Sequence, residues 1–134
     1  MQLWAEQVTA ATGNQAVNVT YTNENGIAAR STGAIGIGAA PIVGQCFQLP
    51  LQAGDAGIQK IEQVVGTVAS AGTFNVMILR PLGFWQLQAN RSIALDVFGT
   101  GLPQMFDTSA LYALVQPDST STGTLRIELE VVNG

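Results

Sequence analysis

The sequence predicts an all-β protein, an antiparallel β-sandwich of the jelly-roll kind that carries a glycine- and alanine-rich N-terminal segment. Short apolar runs recur along the chain with turn residues between them every ten residues or so, a spacing typical of sandwiches and jelly rolls. Near the C-terminus, apolar and charged residues alternate with the period of a strand. A chain of 134 residues is expected to form a single domain, 1–134.

The stretch 109–132 predicts a β-hairpin. From 125 to 131, apolar residues alternate with one arginine and two glutamates, so this strand has one buried side and one side in solvent. Its partner, 110–115, is apolar at almost every position, which is typical of a strand covered on both sides. The connection 117–123 holds Pro, Asp, Ser, Thr and Gly, the residues that form turns.

The N-terminal half contains weaker strand signals. Residues 17–22 alternate as a strand does, residues 23–26 form a turn signal, and the chain from Ile27 onward returns as a second arm. The biased segment 33–44 predicts either strands with close backbone approaches or an extended arm that becomes ordered against a neighbour. Within the single domain, residues 1–45 are therefore expected to be strands or, in part, an extended arm.

The middle of the chain predicts several short strands. Residues 46–52 form one of them, and Pro50 places it at an edge or a bulge. Residues 58–65 have apolar residues at helical spacing after Asp55 as a helix cap, but β-branched residues and two flanking glycines favour a strand. Further strands are predicted at 74–79, a central strand entered from a hairpin turn at 70–73, and at 84–88 and 93–98.

Charge is scarce in this chain. Charged residues make up 10% of the sequence, hydrophobic residues 47%, and the net charge is −4, whereas an average soluble domain is about 25% charged. The surface is therefore expected to be neutral and polar, with part of the apolar excess in contacts between subunits. One lysine and four arginines form no cluster of cations, so a nucleic-acid partner is excluded.

The single cysteine, Cys46, and the absence of histidine exclude further classes. An intrachain disulfide needs two cysteines, and zinc sites and nucleophile-plus-imidazole catalysis need residues that this sequence lacks. The first residues lack the basic start and apolar run of a secretion signal, and no apolar stretch is long enough to span a bilayer. We therefore expect synthesis in the cytoplasm and no membrane partner.

One motif resembles a catalytic loop. Residues 105–110 are similar in sequence to the active-site loop of retroviral-type aspartic proteases. However, a serine replaces the glycine of that loop, and too little chain follows it. Asp107 is therefore interpreted as a turn residue. Glu128 and Glu130 are interpreted as the solvent side of a strand rather than a glycosidase pair. Asp118 alone is a weak calcium ligand. No catalytic residue, cofactor or metal site is predicted, and the chain is not expected to be an enzyme.

Aromatic residues supply the candidate contact sites. Phe84 and Trp85 point to opposite faces if they lie on a strand, so one is expected in the core and the other on the surface. An exposed tryptophan anchors a protein partner, or stacks on a sugar when polar groups such as Gln86 and Gln88 lie beside it. The predicted partner contacts are Trp4, Phe84 and Trp85.

Three pieces follow one another in a characteristic order: 57–65, then 71–77 running into Arg80-Pro81, then 109–122 before a final strand. In this order, residues 46–134 resemble the decoration or cement proteins of tailed-phage heads, a family with no catalytic residues. The resemblance implies a homotrimeric jelly roll on the virion surface that bridges major capsid subunits through many modest contacts. The alternative is a carbohydrate- or receptor-binding β-sandwich module.

Overall fold

A computed structural model gives the fold and describes residues 1–39, 43–67, 71–86, 93–94, 101, 105–106, 108–115 and 126–127. The described part is all β with antiparallel pairing, and no helix occurs in it. Its strands are β1 (Gln2–Gln7), β2 (Asn14–Asn23), β3 (Arg30–Ser31), β4 (Ile35–Ala39), β5 (Cys46–Leu49), β6 (Ile58–Gly66) and β7 (Phe74–Leu79).

The strands form two sheets. In the first sheet β1 is the middle strand, with β5 along one edge and β7 along the other. In the second sheet β2 is the middle strand: β6 pairs along one edge, and β3 and β4 pair with successive parts of the other. Each sheet is thus built around one of the first two strands of the chain.

Alternation along β1 and β2 creates the core. Every second residue of β1, beginning with Leu3, is buried, and the same holds for β2 from Gln15 to Asn23, because successive side chains of a strand point to opposite faces. The buried apolar residues of the two sheets join in one cluster. Its members are Leu3, Ala5, Val17, Val19, Tyr21, Ile37, Leu49 and Ile58.

Several predictions for the N-terminal and middle regions are confirmed. The alternating run 17–22 lies in β2, the turn signal lies in the turn after it, and the returning arm pairs with β2 as β3. The glycine-rich segment contributes β4. Residues 58–66 form a strand rather than a helix, and β5 ends directly before Pro50 at an edge of the described sheet.

The turn predicted at 70–73 does not make a hairpin. β6 pairs with β2 in one sheet, whereas β7 pairs with β1 in the other. Turn residues allow the chain to reverse but do not determine which strand it pairs with next. Among the described residues β7 pairs with β1 alone, so the second neighbour that a central strand needs is not among them.

The C-terminal hairpin is not present in the described part of the chain. Residues 110–115 lie outside any strand with their side chains exposed, and so do Arg126 and Ile127; the connection 117–123 falls outside the described residues. The described parts of two other predicted strands, 84–86 and 93–94, also lie outside strands. An apolar run forms a strand only where a neighbouring backbone completes its hydrogen bonds.

One residue between β2 and β3 has an unfavourable backbone. Ala29 has φ of 57°, in the left-handed region where an L-residue other than glycine is strained. Replacing Ala29 with glycine is expected to raise the free energy of unfolding by about 0.5–1 kcal/mol, because relief of strain exceeds the added entropy of the unfolded chain. Urea unfolding measures the change. The control Ala28→Gly, where the backbone is not left-handed, should destabilise; a loss at both positions would contradict the prediction.

Candidate functional site

Asp55 is the centre of a polar network where the loop after β5 meets β2 and β3. The Nε atom of Arg30 donates to both carboxylate oxygens, at 3.2 and 2.9 Å. The Tyr21 hydroxyl donates to Oδ2 at 2.7 Å, and Nδ2 of Asn23 donates to Oδ1 at 2.9 Å. The Asp55 side chain is only 2% exposed, so both of its oxygens are satisfied by the protein itself.

The network fixes the charge state of its members. The Arg30 guanidinium, followed by the amide of Asn23, lowers the pKa of Asp55 from 3.8 to about 2. Burial, followed by the hydrogen bond to Asp55, raises the pKa of Tyr21 above its usual value of 10.0. A carboxylate held ionised, with each oxygen already hydrogen-bonded, has no proton to exchange near neutral pH. We therefore assign Asp55 a structural role.

Glu24 holds the same loop from the other side. Its carboxylate accepts hydrogen bonds from the backbone N–H groups of Ala56 at 3.1 Å and Gly57 at 3.0 Å, and its carbonyl accepts one from Nε2 of Gln59 at 2.7 Å. The N–H of Ala56 is the main cause of its lowered pKa. An open cavity of about 350 Å³ lies beside this loop, lined by residues 1–3 and 48–56.

A second polar cluster lies on the outer face of the first sheet. Glu6 of β1 is in register with Cys46 of β5 on one side and with Asn75 of β7 on the other. The Tyr112 hydroxyl donates to Oε1 of Glu6 at 3.0 Å and lies 3.9 Å from Sγ of Cys46. The hydrogen bond to Glu6 is the main cause that raises the pKa of Tyr112 to about 12. Tyr112 thereby attaches residues 108–115 to this face, over β1 and β5.

The three predicted contact residues take different positions. Trp4 lies on the outer face of β1, half-buried, and its Nε1 donates to Oε1 of Gln2 at 3.1 Å. Phe84 and Trp85 follow β7 outside any strand and are 80% and 49% exposed. The prediction that one of this pair lies in the core is wrong, because it assumed a strand that is not present there.

Exposed apolar side chains are frequent in the part of the chain after β7. Those described are Phe84, Trp85, Ile93, Phe106, Leu111, Tyr112, Leu114, Val115 and Ile127. Single exposed apolar residues are normal, but a high frequency of them in one part of a chain indicates residues that contact another molecule. This set, which we call the C-terminal apolar residues, is the candidate functional site.

The other candidates from the sequence fall outside the described residues: Asp107, Asp118, Glu128 and Glu130. The Asp55 network was missed, because Asp55 was interpreted as a helix cap. A signal existed, since Glu24 and Arg30 are the only charges between residues 8 and 54. Arg30 belongs to this network, and Glu24 binds the same loop through the N–H groups of Ala56 and Gly57.

Comparisons with family models, with curated proteins and with solved structures find no match for this chain. Within the described ranges, no helix is long and apolar enough to cross a bilayer. In the same ranges, no three His, Cys, Asp or Glu residues lie together where they could hold a metal ion.

Proposed function

We propose that this chain is a virion structural protein, a capsid decoration or cement protein that stabilises a phage head as a homotrimer. The observation that carries the proposal is the exposure of the C-terminal apolar residues, which begin with Phe84 and Trp85. Apolar and aromatic side chains that are exposed in one chain become buried when chains associate. The two sheets with their shared core support the finer proposal of a β-sandwich of the jelly-roll kind.

The distribution of charge supports an assembly role. Arg30 and Asp55 form an internal ion pair, Glu24 binds backbone N–H groups, and Glu62 accepts hydrogen bonds from Thr22 and Ala29. Much of the small number of charges is therefore engaged within the chain. A charge-poor surface favours contacts that cover apolar area, since a buried unpaired charge is costly.

Avidity is the proposed mechanism. Each trimer makes several modest contacts with major capsid subunits, and linking them raises the overall affinity without strengthening any single contact. In this proposal the protein is made in the host cytoplasm and acts on the capsid surface.

A second candidate rests on Trp85. Its half-exposed ring is followed by the exposed amide of Gln86, and an aromatic ring beside an amide is a common arrangement for stacking on a sugar. A carbohydrate- or receptor-binding module is therefore the alternative. Glycan binding that is lost in Trp85→Ala would favour it over the virion role.

The assembly proposal predicts that Trp85→Ala weakens trimer formation or binding to capsids by about 30-fold, the effect of losing a hot spot of about 2 kcal/mol. Sedimentation over a range of low micromolar concentrations measures trimer formation. Co-sedimentation with shells assembled from the major capsid protein of the same virus measures capsid binding. Ile27→Ala, at an exposed position between β2 and β3, is the control and should change neither. A wild-type chain that stays monomeric and does not bind such shells would contradict the proposal.

A further inference from the structure

The edge of β7 that faces away from β1 pairs with no strand among the described residues, and we call it the free edge. It lacks the protection that sheet edges usually have. Edges are commonly blocked by charges, prolines or bulges, because an open ladder invites another strand. β7 has no charged residue and no proline, and its six pairs with β1 run without a register shift. Among the described residues no strand pairs with its other side.

The other long edge is protected. β6 carries Lys60 and Glu62, and its pairing with β2 shifts register twice. Bulges and charges of this kind discourage the addition of a further strand. β5 has only four residues and is followed by Pro50. Of these three edges, β7 is therefore the one suited to accept a strand.

Residues 110–115 have the composition of a strand that β7 could accept. The sequence Ala-Leu-Tyr-Ala-Leu-Val is free of charge and equals β7 in length. β7 is apolar on its core side, at Val76 and Ile78, and its outer side carries the apolar Met77 and Leu79 beside the polar Asn75. A neighbour of such a strand needs apolar residues on both faces, and 110–115 supplies them.

In its own chain this segment lies elsewhere. Tyr112 is bound to Glu6 of β1 and lies beside Cys46 of β5, which is the side of β1 opposite to β7. No backbone hydrogen bond between described residues involves 110–115. The segment therefore has strand-forming residues, but the described part of the chain does not supply hydrogen-bond partners for its backbone N–H and C=O groups.

We infer that residues 110–115 of one copy add as a strand to the free edge of β7 in the next copy. The inference rests on the proposed homotrimer and specifies its contact. Each chain then donates one strand and accepts one, and such head-to-tail contacts close into a ring when the rotation between copies allows it. This pairing supplies hydrogen-bond partners to the backbones of both segments and covers the exposed side chains of Leu111 and Leu114.

Cross-linking tests the contact between chains. In a Cys46→Ser background, chains with Met77→Cys are refolded together with chains that carry Ala113→Cys and are treated with a short bis-maleimide. When the two six-residue segments pair over their full length, Ala113 lies opposite Met77 if the strands are parallel and opposite Val76, one residue away, if they are antiparallel. The bis-maleimide linker accommodates either arrangement. We expect a covalent heterodimer in the mixture. A mixture with Gln59→Cys on β6 in place of Met77→Cys is the control and should give none.

Three other outcomes would overturn the inference. A trimer that forms no cross-link would rule out the strand pairing but not the homotrimer. A monomeric wild type would rule out both. A chain that carries both cysteines and forms only the internal link would show that 110–115 pairs with its own β7.

Ala113→Pro gives an independent readout. Proline has no N–H and blocks a ladder, so the trimer dissociation constant should rise roughly tenfold or more, as expected for one lost backbone hydrogen bond. Ala113→Val keeps the N–H and should retain the trimer. Far-UV circular dichroism should show the monomer still folded, because 110–115 lies outside the strands. An unchanged trimer in Ala113→Pro would contradict the inference.

Discussion

Replacing Leu3 with alanine is expected to lower the free energy of unfolding by about 2–5 kcal/mol. Leu3 is 0% exposed and lies in β1, the middle strand of the first sheet, opposite Leu49 on one side and Ile78 on the other. Truncation removes apolar contact area and leaves a cavity that the surrounding strands cannot fill without losing their register. A domain of this size is stable by about 5–15 kcal/mol, so the loss is a large share of the total.

Urea unfolding at one fixed protein concentration measures this loss, since the stability of an oligomer depends on concentration. Val8→Ala is the matched control, because Val8 follows β1 and is exposed; its effect should stay within about 0.5 kcal/mol. Equal effects at the two positions would mean that β1 does not supply the core.

Local patterns predicted those strands whose own residues determine them. Apolar and polar residues alternate in β2 from Val17 to Thr22, so the buried face of that part could be identified from the period alone. Pro50 indicated the edge position of β5, although the strand ends at Leu49 and not at residue 52, and the β-branched residues of β6 outweighed its helical spacing. In each case the deciding signal lies within a few residues of the element.

Pairing between distant residues could not be predicted in this way. β1 was overlooked because its buried positions include Ala5 and Gln7, which have weak strand preference. Its position at the centre of a sheet depends on β5 and β7, which lie far along the chain. The segment 110–115 shows the reverse case, in which strand-forming residues lie outside any strand of the single chain.

The candidate site was predicted in part. Phe84 and Trp85 were selected as aromatic contacts and are exposed, whereas their placement on a strand was wrong. The Asp55 network required knowledge of three separate segments, because Tyr21, Arg30 and Asp55 come together only after the loop following β5 folds back on β2. The isolated charge of Arg30 marks it as a candidate for an internal contact, but its spacing along the sequence does not identify Asp55 as its partner.

Replacing Asp55 with asparagine is expected to destabilise the protein more than the removal of any other described carboxylate. The change leaves the Arg30 guanidinium without its anion and weakens the bonds to Tyr21 and Asn23. A charge that loses its buried partner keeps the cost of its own desolvation without compensation. Glu62→Gln is the control, because Glu62 is exposed and its neutral amide can still accept from Thr22; its effect should be much smaller.

Asp55 also affects how the stability of the fold depends on pH. The pKa of Asp55 is about 2 in the folded chain, whereas the ordinary value for an aspartate, which applies to the unfolded chain, is 3.8. Folding therefore favours the ionised form. Its contribution is complete above about pH 5 and is lost as the pH falls toward 2. The lowered pKa values of Glu24 and Glu62 act in the same direction. The urea midpoint of the wild type should therefore decrease as the pH is lowered from 5 to 2. The decrease should be shallower in Asp55→Asn than in Glu62→Gln. Parallel curves for the two variants would contradict the role of Asp55, since a residue that only fills space would leave the slope unchanged.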